Sequence, residues 1–210
     1  MLPPSESSLS SVPSGQNFTS EERRLLLEIA HRAILSDLEG RKDGGRKDAG
    51  RKDTDVDNDF SITRSPRLAE SHGVFTTLYL NGMLRGCVGY PSSLLPLYRS
   101  VMETARAAGF ADPRFDPLSL PEAQRIKISL SVLSALCPIA ADDVVVGSHG
   151  LMITDGARRG LLLPQVPVEH GWDRTTFLEQ TCRKAGLASD AWQKGARIEA
   201  FTAEVFGDVD

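Results

Sequence analysis

Leu84-Arg85-Gly86-Cys87-Val88-Gly89-Tyr90 is the stretch on which the reading of this chain turns. It follows Asn81-Gly82 and a run from Val74 to Leu80 that is rich in β-branched and aromatic residues. Asn-Gly between two such runs is a strong hairpin signal, because both turn residues accept φ > 0. On the returning strand side chains alternate. Arg85, Cys87 and Gly89 are then expected on one face, and Leu84, Gly86 and Val88 on the other. A guanidinium beside a thiol, with glycines around them, suggests a bulge or the close approach of a ligand or another backbone.

Outward from this hairpin, 210 residues suit one domain of ordinary size, or one domain with a smaller lobe. A formal charge of −4 argues against general nucleic-acid binding, which needs basic surface to displace counterions. No apolar run approaches the roughly 18 residues that would span a bilayer. Three widely spaced cysteines, Cys87, Cys137 and Cys182, fit a reducing cytosol better than a disulfide framework. Their spacing to the histidines also lacks a metal-binding pair. A cytoplasmic protein with no membrane, nucleic-acid or metal site is the expectation.

Residues 1–17 are rich in Ser and Pro and read as a disordered tail. Thr19, with Glu22 three residues on, makes a capping box for a helix whose apolar face is Leu25, Leu26, Ile29, Ala30, Ala33 and Ile34. Residues 39–59 hold three copies of Gly-Arg-Lys-Asp at period five, with six basic side chains against seven acidic ones. Such a segment reads as a polyampholyte loop and not as a basic arm. After Tyr90, Ser92 or Ser93 is a candidate N-cap for a helix ending near Gly109. That helix would favour a thiolate or an anion if its positive end pointed back at Cys87.

Asp112-Pro113-Arg114-Phe115-Asp116-Pro117 is a connector of fixed shape. Its Arg114 suits either an anion site or a salt bridge to a neighbouring carboxylate. Ile126, Ile128, Leu130 and Val132 alternate with polar residues as one strand, and Cys137 reads as a small core residue. Val144–Val146 and Leu151–Thr154 suggest a second hairpin, and Asp155-Gly156 a further turn before Arg158-Arg159-Gly160. Arg159 belongs either in a cleft or at a solvated tip. Asp173 caps a helix with Phe177, Leu178 and Cys182 on its apolar side, and an alternating strand over 198–206 closes the chain. Hairpins and alternating strands make the expected fold α+β, a mainly antiparallel sheet flanked by helices.

Residues 84–89 resemble the Leu-Arg-Gly-Cys-Ile-Gly signature of the AMMECR family, whose prokaryotic members are called AmmeMemoRadiSam system protein A, with Val88 in place of isoleucine. The similarity continues through Asp112-Pro113-Arg114-Phe115, Ser129–Leu133, Arg159–Val166, Glu169-His170-Gly171-Trp172-Asp173, Phe177-Leu178, Cys182, Lys184–Leu187 and Trp192. The resemblance implies a two-lobed α+β domain over 18–208, interrupted at 39–59, with the hexad near the junction of the lobes. It also implies participation in a modification pathway with a Memo-type protein and a radical-SAM enzyme. It names no cofactor and no established reaction.

Two functional readings follow from the residues. In one, Cys87 is a nucleophile or covalent carrier beside Arg85. Its base would be His72, His149 or His170, with Glu169 a weaker choice; spacing does not choose, and His170 is taken as the candidate. In the other, Arg85, Arg114 and Arg159 line a non-catalytic site for an anion or a partner's acidic segment, and Gly86 and Gly89 admit backbone approach. Against both stands a packed Cys87 with Arg85 as an internal tether.

Overall fold

The computed structural model describes residues 17–42 and 65–208. The expected tail therefore lies outside the described residues except for Asn17, as does the low-complexity segment from Asp43 onward. Five α-helices and two four-stranded sheets are present among the described residues. The fold is α+β. The chain divides into two compact units, one formed by residues 17–133 with 204–208 and the other by residues 134–203.

In the first unit, helix α1 (Ser20–Lys42) is followed by strands β1 (Gly73–Leu80) and β2 (Met83–Tyr90) and helix α2 (Leu97–Phe110). A short helix α3 (Leu120–Ala123), strand β3 (Lys127–Leu133) and strand β8 (Ala203–Gly207) complete it. The sheet order is β2-β1-β3-β8, so β2 is an edge strand. β1 is antiparallel to both β2 and β3. The turn between β1 and β2 places Asn81 at φ 52° and Gly82 at φ 79°, as an Asn-Gly hairpin requires. Leu26, Ala30 and Ile34 of α1 pack with Leu97, Val101 and Ala105 of α2 and with Leu78, Ile128 and Leu130 of the sheet.

The capping box at α1 is formed in full. Glu22 N donates to Thr19 Oγ1 at 3.2 Å, and Thr19 N donates to Glu22 Oε2 at 2.8 Å. Thr19→Ala is expected to cost about 1 kcal/mol, read as a lower urea midpoint at unchanged slope. The helix enters the segment that reads as a loop from residue 39. It runs on to Lys42, because Leu38 is still buried and each residue added to a formed helix gains a hydrogen bond.

In the second unit, β4 (Cys137–Pro138), β7 (Arg197–Phe201), β5 (Gly150–Asp155) and β6 (Arg158–Leu162) form a sheet in that order. Helices α4 (Gln165–Glu169) and α5 (Arg174–Lys184) accompany it. Phe177, Leu178 and Cys182 of α5 pack on Leu151, Ile153 and Ala200. Asp173 caps α5 by accepting from Thr176 N at 2.7 Å.

Several expectations are corrected here. α2 begins four residues past Ser93, behind Pro96, and Ser93 Oγ instead accepts from Leu95 N and Ser100 Oγ. Val144–Val146 form no strand: Val144 caps a 3-10 turn and Val145 is exposed, so β5 pairs with β6 across Asp155-Gly156 instead. Cys137 is half-buried on an edge strand and is not a core residue. The alternating run over 198–206 is two strands in different sheets, broken at Thr202. No helix among the described residues is long and apolar enough to cross a membrane.

Candidate functional site

The β1–β2 ladder pairs Thr77 with Cys87 and Leu78 with Gly86, then jumps to Tyr79 with Leu84. Arg85 is the extra residue of a β-bulge, a device that breaks simple alternation and bends the strand. Gly86 and Gly89 are required by their neighbours. A Cβ at Gly86 would lie 2.2 Å from the carbonyl oxygen of Ala108 in α2. One at Gly89 would lie 2.4 Å from the Phe75 ring. Both glycines admit protein atoms of this unit.

The close approach at Gly86 also settles which end of α2 passes the hexad. It is the C-terminal end, because a 14-residue helix is roughly 21 Å long and returns its last turn to β2. The condition under which this helix would favour a thiolate, a positive end pointing back at Cys87, is therefore not met.

Because β2 is an edge strand, the outward backbone groups of Cys87 have no neighbouring strand. The connector supplies their partners. Cys87 N donates to Asp112 Oδ2 at 2.9 Å, and Arg114 Nη2 donates to the Cys87 carbonyl at 3.2 Å. Asp112 and Arg114 are joined to each other by Nε–Oδ1 and Nη2–Oδ2 bonds of 2.9 and 2.7 Å. The pair therefore clamps the strand at one residue. Asp112 is only 5% exposed. The Arg114 guanidinium, helped by the N–H groups of Cys87 and Arg114, holds its carboxyl well below the usual carboxylate range against the opposing effect of burial.

Arg85 turns to Glu122 of α3, donating from Nε at 3.0 Å and Nη2 at 3.4 Å. With the Ser119 N–H and hydroxyl adding to Arg85, the Glu122 carboxyl is held down to about 2. The Arg85 and Arg114 guanidinium carbons both stand within cation–π range of the Phe115 ring, at 5.8 and 5.5 Å. Each arginine is thus matched by a carboxylate. One donor is left over: Arg85 Nη1 is buried and has no partner among the described residues. Cys87 is half-buried, and its sulfur accepts from Thr77 Oγ1 at 3.3 Å.

Of the residues singled out from the sequence, Arg85, Gly86, Cys87, Gly89 and Arg114 come together in the first unit. Arg159 and His170 belong to the second, where both are exposed and His170 stacks on Trp172 with ring centroids 4.7 Å apart. His72 is buried, with Nε2 3.3 Å from Glu70 Oε2, and His149 Nδ1 accepts from Val145 N. Thr77 and Glu122 were not singled out, and Asp112 and Phe115 stood only as parts of the Asp112-Pro113-Arg114-Phe115 stretch, where the salt bridge offered for Arg114 is the one formed with Asp112. Glu122 had a local signal, since Ser119-Leu120-Pro121-Glu122 spells a capping box, and that box is formed.

The family model of AMMECR1 matches residues 28–206. The chain belongs to the AMMECR1 family. A Methanopyrus kandleri protein of this kind is 40% identical over 206 residues, covering 91% of this chain and 91% of its own. A Methanosarcina acetivorans protein is 37% identical over 194 residues, covering 90% of this chain and 92% of its own. Among solved structures, the uncharacterized protein PH0010 from Pyrococcus horikoshii matches with a TM-score of 0.71 at 36% identity, covering 88% of this chain and 90% of that one. In this AMMECR1 chain, the Leu-Arg-Gly-Cys strand and the Asp-Pro-Arg-Phe connector meet as the two halves of one clamp.

Proposed function

We propose that this AMMECR1-family protein works in a modification pathway with a Memo-type protein and a radical-SAM enzyme, and that Cys87 is its reacting or carrier group. One observation supports this above the others. Cys87, a half-buried residue, lies on a strand whose N–H and C=O at that residue are both held by Asp112 and Arg114. A group fixed through its backbone meets a second reactant at little further entropic cost. Thr77 supplies the sulfur with a hydroxyl donor from the next strand. Three free cysteines suit a reducing cytosol.

Iodoacetamide labelling of the native full chain, with peptide mapping of Cys87, Cys137 and Cys182, tests the reading. Cys87 is expected to label at least about tenfold faster than the fully buried Cys182. Equal, slow labelling of the two would remove it.

A second reading, a non-catalytic module for an anionic ligand or partner, is favoured by the unpartnered Arg85 Nη1. The two separate in cells that co-produce the Memo-type protein and the radical-SAM enzyme. Cys87→Ser is expected to end product formation if Cys87 reacts and to spare partner capture if the protein is a binding module, whereas Arg85→Ala is expected to reduce both.

A further inference from the structure

An edge strand offers its outward N–H and C=O groups to any second strand, and folds close such edges with bulges, charged side chains or a covering loop. The outer edge of β2 carries all three. Arg85 is both the bulged residue and a charge on that strand. The connector covers the edge at Cys87, where Asp112 accepts from its N–H and Arg114 donates to its C=O.

Without that cover the edge is its own complement. Phe75–Gly89 and Thr77–Cys87 are ladder pairs of the same kind, so Gly89 turns its N–H and C=O the same way as Cys87. Two copies of β2 set antiparallel about Val88 would bring Cys87 of each opposite Gly89 of the other. Every outward N–H of these residues would then meet a C=O across a two-fold axis. The strand is also rich in open apolar surface: Met83 is 72% exposed, and Leu84 and Tyr90 are exposed as well. An edge with such side chains invites association.

We infer that the Asp112–Arg114 pair is an edge guard, which keeps β2 from pairing with β2 of a second copy. Side chains of the same unit fill both hydrogen-bonding positions at Cys87, so an incoming strand must displace a buried carboxylate and its guanidinium before it gains a bond. The guard is independent of any reaction at Cys87.

Sedimentation equilibrium of the full chain in reducing buffer tests it, with Asp112→Ala/Arg114→Ala set against the parent. The double substitution removes one charge of each sign, so net charge is unaltered. The variant is expected to self-associate at least about tenfold more tightly than the parent, the factor that a net gain of about two backbone hydrogen bonds supplies. Hydrogen exchange locates the contact: amides of residues 83–90 should gain protection as the concentration of the double variant rises. Tyr90→Lys added to it sets a cation opposite Gly86 and beside Arg85 of the second copy, and is expected to restore the parent's behaviour. A folded double variant that associates no more than the parent overturns the guard. So does a dimer whose 83–90 amides stay unprotected, or one that Tyr90→Lys leaves intact. If the double variant does not unfold cooperatively, Arg114→Ala alone decides: it frees the Cys87 carbonyl, tighter association than the parent is expected, and no change overturns the guard.

Discussion

Gly86→Val is expected to destabilise the protein by about 3 kcal/mol or more, enough to remove much of the stability of an ordinary domain. The first side-chain carbon would sit 2.2 Å from the Ala108 carbonyl oxygen and 3.1 Å from its carbon, and both are main-chain atoms. Neither can swing aside as a flexible side chain would. α2 has no room to retreat, because Leu97, Val101 and Ala105 on it are fully buried. Even Gly86→Ala carries the offending atom, so it should show most of the loss. Urea denaturation measures both variants. A Gly86→Ala protein within about 0.5 kcal/mol of the parent would mean that α2 does not lie against the hexad.

Asp112→Ala is expected to cost about 2 kcal/mol near neutral pH, because it leaves the Cys87 N–H without its buried acceptor, while the half-exposed Arg114 guanidinium turns to water. Asp112→Asn should cost less, since an amide oxygen still accepts from Cys87. The acid dependence has a definite sign. The Asp112 carboxyl is held below its ordinary value, so its stabilisation is complete above the unfolded value of about 4 and fades as pH falls below it. Glu122, held to about 2, loses its contribution between about pH 4 and pH 2 in the same sense. Denaturation midpoints of the parent and Asp112→Ala should therefore converge on acidification. A gap that stays constant from neutral pH down to about pH 2.5 would contradict this role of the carboxylate.

Features governed by neighbours in sequence were legible before any coordinates. Thr19 with Glu22, Asn81-Gly82 and the Asp173 cap each obey a rule that operates within four residues. The chemistry around Cys87 was only half legible. Cys87 and Arg85 stood out, yet Asp112 lies 25 residues from Cys87, and Glu122 lies 37 residues from Arg85. Nothing local reports such a partnership. The bulge was equally hidden, since a regular hairpin and a bulged one share the same residue types. Val144–Val146 misled because β-branched residues promise a strand only when a partner strand exists, and none pairs there. The run over 198–206 misled for a different reason. Glu199, Ala200 and Phe201 are buried in succession in β7, and Thr202 separates that strand from β8 in the other sheet, a break that residue types alone do not mark.

That crossing at Thr202 bears on how the protein assembles. β3 and β8 are neighbours in one sheet, yet the entire second unit is threaded between them. Ser134 and Thr202 stand at the two ends of that excursion, 68 residues apart in sequence, joined by a bond from Ser134 N to the Thr202 carbonyl and another from Thr202 N to Ser134 Oγ. Were the intervening chain a random coil, closing it would cost about 4 kcal/mol before β8 gained a single ladder bond. Once the excursion has folded and knotted its ends together at this neck, β8 emerges already beside its berth. Loop-closure entropy therefore favours docking of β8 after the interrupting segment has folded, which leaves the sheet that carries the thiol to be sealed last.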